Sequence, residues 1–187
     1  MPRVFLALIA SIESSSNGFK HEGVFRLNAD TEQITFVVKC LEMGKYEEIK
    51  GLKTPHAPAM ILKRWLRELK TPIIPSDYYL YCETLGKDIL DGKDSIELPV
   101  IRSVFKKLPR TNRLILGEVI DLSLKIAAQE PFNRMSLSNL ALLLGPCLLR
   151  NPAQDESDLS ALVEVSKREN TFVEHLFACW SQLSLED

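Results

Sequence analysis

An arginine that follows two apolar residues is the side chain in this sequence best suited to chemistry on phosphate. Arg26 ends the run EGVFR at residues 22–26, and turn-forming residues lie on both sides of that run. We therefore expect a loop in which Val24 and Phe25 anchor in the core while the guanidinium points outward. The planar guanidinium carries five N–H donors and keeps its charge, which suits phosphate oxygens. Taken alone, the run favours an ordinary solvated loop arginine.

A basic helix face is the second candidate. Within the segment 58–69, Lys63 and Arg67 are four residues apart and share one face of the helix that the apolar periodicity predicts. Arg64 and Glu68 have the same spacing on the adjoining face and are expected to form an ion pair. The segment by itself fits a solvated basic face as well as a binding surface.

Asn139 is the third candidate. It belongs to the run NRMSLSNLA at residues 133–141, which continues to GPCLL at residues 145–149. An asparagine in the first turn of a helix usually caps the helix or joins a local hydrogen-bond network. Contact with a partner is the alternative role.

In their order and separation these segments resemble the Rho GTPase-activating (RhoGAP) domain family. That family carries E-G-[IV]-F-R, then L-K-x-[FW]-[LF]-R-E-L-x-x-P, then N-x-M-x-x-x-N-L-A with G-P-x-L-L. This sequence has LKRWLREL at residues 62–69 with a proline at 72, and a fourth match, L-P-x-x-N, at residues 108–112. The resemblance extends over nearly the whole chain, from Pro2 to the last helix.

The resemblance implies an all-α fold, a single-domain helical bundle of the RhoGAP type over residues 1–187, which we expect to be part of a longer protein. It implies binding of a GTP-loaded Rho, Rac or Cdc42-type small GTPase and faster GTP hydrolysis. Arg26 matches the catalytic arginine finger, Lys63 and Arg67 match residues that contact the partner or hold the finger loop, and Asn139 matches a partner contact. The chain would be a GTPase activator rather than an enzyme, with no cofactor or metal of its own. A non-catalytic GTPase-binding module with the same fold is the alternative.

Three positions depart from the family pattern. Ala29 stands where the family usually has glycine, so a left-handed backbone there would be strained. Lys70 replaces a common proline. Arg168-Glu169 stands where many members carry a proline before the last helix, so the GTPase preference of family members cannot be assigned to this chain. The run PHAPA at residues 55–59 most resembles the Vilse/CrGAP branch.

Composition bears on the class of protein and on the ligands that the chain could bind. The 187 residues are 45% hydrophobic and 26% charged with a net charge of −2, which fits one soluble domain and gives no indication of nucleic acid or an anionic membrane surface. No apolar run approaches the roughly 18 residues of a membrane span, and we interpret the apolar N-terminus as a core helix. Four dispersed cysteines predict buried, reduced thiols and a cytoplasmic protein. The three histidines have no metal-ligand spacing.

Helical periodicity predicts the elements that position these residues. We expect Asp30 to cap a helix that Gly44 ends, Pro58 to lie in the first turn of the basic helix, and Gly86 to end another helix. Gly145-Pro146 is predicted to end the helix that carries Asn139. The helix that Gly86 is expected to end covers 76–85. The remaining predicted helices cover 2–13, 99–108, 109–129, 158–167 and 169–183.

Overall fold

The computed structural model describes residues 1–93, 98–152 and 159–183, and all regular structure in these residues is helical. The all-α expectation is therefore confirmed for the described part of the chain. Its α-helices are α1 (Arg3–Glu13), α2 (Thr31–Glu42), α3 (His56–Glu68), α4 (Tyr79–Leu90), α5 (Leu98–Lys107), α6 (Arg110–Ala127), α7 (Glu130–Asn133), α8 (Leu137–Leu148), α9 (Leu159–Ala178) and α10 (Trp180–Leu183). Short 3₁₀ turns occur at Gly18–Lys20, Tyr46–Ile49 and Ser76–Tyr78.

One apolar core holds the helices together. Helix α1 packs on α3, α3 packs on α8, and both α4 and α8 pack on α9. Burial of apolar surface supplies most of the driving force for this arrangement, at about 25 cal/mol for each Å² removed from water. The fully buried large side chains include Phe5, Leu8, Ile12, Leu62, Leu66, Leu116, Ile120 and Phe177.

The predicted boundaries of α2 are confirmed. The Asp30 carboxylate accepts hydrogen bonds from the backbone N–H groups of Glu32 and Gln33, at 2.8 and 3.3 Å, which satisfies two donors of the first turn. Gly44 follows the helix with a φ of 70°, a left-handed conformation that glycine adopts without steric cost.

The prediction that Gly86 ends a helix is wrong, because α4 continues to Leu90 and Gly86 is buried inside it. A Cβ atom at this position would lie 2.0 Å from the carbonyl oxygen of Arg168 on α9. Gly86 therefore permits the backbones of α4 and α9 to approach each other. The sequence could not indicate this, since the neighbour is more than eighty positions away.

The prediction that Gly145-Pro146 ends the Asn139 helix is also wrong. Helix α8 includes both residues and ends at Leu148, and the Leu149 N–H still donates to the Gly145 carbonyl at 2.9 Å. Pro146 lies in the last turn, where its missing N–H removes only one helical hydrogen bond. Gly145 faces α9, because a Cβ atom there would lie 3.3 Å from Asn170 Oδ1.

The two helices expected at 158–167 and 169–183 form one long helix, α9, followed by the short α10. Phe172 and Leu176 are buried as their four-residue spacing predicts, and Trp180 is half-buried at the start of α10. The Trp180 indole N–H donates to Asp121 of α6 at 2.8 Å. Asp158 lies outside the described residues.

Candidate functional site

The loop that carries Arg26, residues 21–30, is anchored by its apolar residues. Val24 is 0% exposed and Phe25 is 2% exposed, whereas Arg26 is exposed, as two apolar residues followed by a charged one predict. The N–H groups of Arg26 and Leu27 both donate to the Gly23 carbonyl, at 2.8 and 2.9 Å. This tight turn directs the guanidinium away from the core. We call residues 21–30 the Arg26 loop.

Two residues of the Arg26 loop have a positive φ. Gly23 adopts 66°, and a Cβ atom there would lie 2.6 Å from Leu27 Cγ, so another residue would be strained and would displace the Leu27 side chain. Phe25 adopts 70°, which is a strained conformation for a bulky side chain and is retained here by burial of the ring. Ala29 does not have a positive φ, so the strain expected there from the missing glycine is absent.

Asn133 is buried and forms a hydrogen bond to the Arg26 loop. Its side chain is 0% exposed, and its Nδ2 donates to the carbonyls of Phe19 and Ile126 at 2.8 and 2.7 Å. Its Oδ1 accepts from the Met135 N–H at 2.8 Å, and its own carbonyl accepts from the Gly23 N–H at 2.8 Å. Sequence reasoning quoted this residue in the 133–141 motif but gave it no role.

Lys63 braces the Arg26 loop from the side. Its Nζ donates to the Phe25 carbonyl oxygen at 2.6 Å, a short bond strengthened by the charge of the ammonium group. The side chain is half-buried, and burial lowers the pKa of Lys63, as does the nearby charge of Arg67. Of the two roles expected for Lys63, this geometry corresponds to holding the loop.

Arg67 remains exposed on the same face of α3, and its side chain forms no hydrogen bond or ion pair with another described residue. On the adjoining face, Arg64 Nε and Glu68 Oε1 are 2.8 Å apart, so the predicted ion pair is present. Arg67 is therefore available to a partner next to the Arg26 loop.

The Arg26 guanidinium lies near the Glu22 carboxylate. Its NH2 atom lies 3.7 Å from Glu22 Oε1, which also lies 3.3 Å from Arg134 NH1. The side chains of Arg26 and Glu22 are 43% and 50% exposed, so water screens the contact and its free energy is at most about 1 kcal/mol. A stronger ligand, such as a phosphate group, can displace Glu22 at little cost.

Asn139 does not cap its helix. Ser136 is the N-cap of α8, and its Oγ accepts from the Asn139 N–H at 3.1 Å. Among the described residues, the half-buried Asn139 amide makes one long side-chain contact, of 3.4 Å to the Arg134 carbonyl. It lines a groove of about 470 Å³ between α8 and α9, together with Leu142, Lys167 and Asn170. The amide is therefore free to make a further hydrogen bond.

The departure at Arg168-Glu169 forms structural contacts. Arg168 NH1 lies 2.6 Å from Glu83 Oε1, and Glu169 accepts a 2.5 Å hydrogen bond from the Tyr79 hydroxyl. Burial raises the pKa of Tyr79, so its hydroxyl remains a donor. Both side chains thus connect α9 to α4.

A histidine of the Arg26 loop lies against a histidine of α3. The rings of His21 and His56 stand edge to face with centroids 6.2 Å apart, and burial lowers the pKa of His56. No group of three or more His, Cys, Asp or Glu side chains in the described ranges could hold a metal ion. None of the described helices is long and apolar enough to cross a bilayer. All four cysteines are buried and unpaired, as predicted.

The same fold occurs in solved structures. Human Rho GTPase activating protein 15 superposes with a TM-score of 0.74 at 21% identity, covering 98% of this chain and 84% of that one. The BH domain from GRAF, the GTPase regulator associated with focal adhesion kinase, gives a TM-score of 0.71 at 19% identity, covering 96% and 92%.

Several curated proteins that match this chain are named Rho GTPase-activating proteins. Rho GTPase-activating protein gacHH of Dictyostelium discoideum is 29% identical over 89% of this chain and 10% of its own length. Rho GTPase-activating protein 8 of Mus musculus is 29% identical over 87% and 38%, and Rho GTPase-activating protein 1 of Homo sapiens is 34% identical over 68% and 28%. The chain thus spans less than two-fifths of each. The RhoGAP domain model matches residues 2–153, and the chain therefore belongs to the RhoGAP domain family.

Proposed function

We propose that this chain binds a GTP-loaded small GTPase of the Rho family and accelerates GTP hydrolysis by inserting Arg26 into the GTPase active site. The observation that carries the proposal is the exposed Arg26 guanidinium on a loop fixed by Asn133 and Lys63. The three relatives described above are Rho GTPase-activating proteins, which supports the same general role for this chain. The four buried free thiols support a cytoplasmic location.

Phosphoryl transfer spreads negative charge over the oxygens of the transferred group, and a guanidinium stabilises that charge as it develops. An arginine finger supplied by a partner contributes about 10³ to 10⁵ in rate, or roughly 4 to 7 kcal/mol. Arg26 keeps its proton and offers a planar pair of donors. The nucleotide, its Mg²⁺ and the residue that orients water belong to the GTPase in this mechanism.

A fixed loop makes that contribution larger. A guanidinium that is already held near its final position loses less entropy when it meets the phosphate. The backbone contacts at Gly23 and Phe25 hold the Arg26 loop without using the Arg26 side chain itself. The weak contact with Glu22 leaves the guanidinium free to exchange partners.

The surface around the loop suits a protein partner. Arg67 on α3 and Asn139 on α8 are candidate contacts, and the α8–α9 groove exposes Leu142 (54%) and Val163 (60%) to a complementary apolar group. Lys63 acts in this proposal by positioning the loop.

Single-turnover GTP hydrolysis, measured for a panel of Rho-family GTPases over a titration of the chain, tests the proposal. We expect Arg26→Ala to lower the maximal rate by roughly 10³-fold while affinity for the GTP-loaded partner changes far less. Arg26→Lys should also fail, because it lacks the planar pair of donors.

Arg134→Ala is the matched control, because Arg134 is an exposed arginine on the other side of Glu22. It should retain most of the activity. A folded Arg26→Ala protein with undiminished activation would refute the finger role. Binding without activation by the wild-type chain would instead favour a non-catalytic binding module.

A further inference from the structure

Positive charge is concentrated where α5 meets α6. Residues 98–117 contain five basic side chains and no aspartate or glutamate, in a chain whose net charge is −2. We call these five residues the basic corner: Arg102, Lys106, Lys107, Arg110 and Arg113. The composition of the whole chain hides this local excess, because acidic residues elsewhere outweigh it.

The charges of the basic corner face solvent. Four of the five residues are exposed and Arg113 is half-buried. The Arg102 guanidinium donates to the Gln182 carbonyl at 2.8 Å, a contact that leaves its charge uncompensated. The other four side chains form no ion pair or hydrogen bond within the described part of the chain. The corner therefore presents positive charge that no carboxylate of the described residues pairs with.

The turn between the helices holds the cations together. Ile101, Phe105 and Leu108 are buried, so the basic residues of α5 occupy its outer side. The Leu108 N–H donates to the Phe105 carbonyl at 3.1 Å, and the Arg113 N–H donates to the Pro109 carbonyl at 3.0 Å. These bonds fix the end of α5 against the start of α6. The cluster is thus part of the fold rather than a mobile tail.

The basic corner lies far from the Arg26 loop. Arg110 begins α6, and at 1.5 Å per residue the helix extends about 25 Å from there to its other end. At that other end the Ile126 carbonyl accepts the hydrogen bond from Asn133 beneath the Arg26 loop. The two surfaces stand at opposite ends of one rigid helix and can be occupied together.

We propose that the basic corner adsorbs to the anionic lipid surface of a membrane. Clusters of four or more cations on an amphipathic helix favour anionic lipids, and each cation near such a surface increases partitioning about fivefold. A protein partner usually inserts an apolar anchor into a pocket. The cavity beneath α5 has a volume of about 10 Å³, which is too small for a side chain. The side chains that the corner exposes to solvent are cationic, and this arrangement matches a lipid surface.

Co-sedimentation of the whole chain with lipid vesicles tests the proposal and requires no GTPase. Vesicles of equal parts phosphatidylcholine and phosphatidylserine should bind the chain, and vesicles of phosphatidylcholine alone should not. The variant Lys106→Ala/Lys107→Ala/Arg110→Ala should bind about 100-fold more weakly, since three cations are lost. Added salt should weaken wild-type binding, because the screening length falls from about 10 Å at 0.1 M to about 3 Å at 1 M.

The matched control is Lys45→Ala/Lys50→Ala, which removes two exposed lysines that pair with glutamates away from the corner. This control should keep wild-type vesicle binding. Equal binding to both kinds of vesicle, or undiminished binding by the triple variant, would overturn the proposal. Binding to polyglutamate without binding to vesicles would assign the corner to an acidic protein and would also overturn it.

Circular dichroism checks that the triple variant is folded. If the proposed function also holds, the triple variant should stimulate hydrolysis normally in solution without vesicles. A failure of GTPase activation would leave the vesicle result unaffected, so the two proposals can fail separately.

Discussion

Replacing Lys63 by methionine would remove the ammonium group that donates to the Phe25 carbonyl while keeping most of the aliphatic stem. The 2.6 Å bond is charge-assisted, and such bonds contribute about 1.5 to 3 kcal/mol. We take the lower end of that range because Lys63 is only half-buried. A loss of about 1.5 kcal/mol in the free energy that holds the Arg26 loop in place corresponds to roughly a tenfold lower maximal rate.

The assay is single-turnover GTP hydrolysis over a titration of the chain, which separates maximal rate from affinity. Asn133 and the buried Phe25 ring still hold the Arg26 loop in the variant, so affinity should change less than the rate. Arg64→Met is the matched control, since the exposed pair of Arg64 with Glu68 is worth only about 0.3 to 0.5 kcal/mol. An unchanged maximal rate for Lys63→Met would refute the bracing role. A loss of affinity alone would show that Lys63 contacts the partner directly.

Contacts at four other positions predict effects on stability. Gly86→Ala should destabilise the fold by about 1 to 3 kcal/mol in urea denaturation, because its Cβ meets the rigid Arg168 carbonyl, and Gly145→Ala should cost less because its neighbour is a flexible side chain. Asn133→Ala should cost about 2 kcal/mol or more, since it removes the side-chain partners of the Phe19 carbonyl and the buried Met135 N–H; a loss below about 1 kcal/mol would contradict this account. The Ile126 carbonyl still accepts from the Gln129 N–H. Burial holds the pKa of His56 below its ordinary value of 6.5, so the unfolded chain binds more protons and stability should fall as the pH drops below 6.5. His56→Gln should flatten that dependence in thermal denaturation, and an equal slope in the variant would assign it to other groups.

Local chemistry predicted part of this fold. Asp30 and Gly44 were identifiable because a cap and a left-handed turn depend on only a few neighbouring residues. Gly86 and Gly145 were misread as helix ends, because what decides their role is the close approach of α9. The sequence does not distinguish a glycine that ends a helix from a glycine that permits the close approach of another helix.

The candidate site was also predictable from the sequence only in part. The spacing of residue types gave an exposed Arg26 after a buried Phe25, and the basic face of α3 beside it. The left-handed Phe25 and the hydrogen bonds of Asn133 depend on tertiary contacts, so no local pattern indicates them. A polar residue within the 133–141 motif was the available signal for Asn133. Assignment to the Vilse/CrGAP branch and the partner-binding roles of Arg67 and Asn139 stay predictions.

The hydrogen bonds that support the Arg26 loop are made by its main-chain atoms: the Gly23 N–H, the Gly23 carbonyl and the Phe25 carbonyl. The side chain at position 26 takes no part in them, so the loop should keep its shape when that side chain is exchanged. A cysteine at this position, labelled with a fluorophore or a spin label, would therefore report from the place that the guanidinium occupies. Because the four native cysteines are buried, such a label could be attached selectively. The architecture that presents one arginine thus also makes this position suitable for a reporter of complex formation.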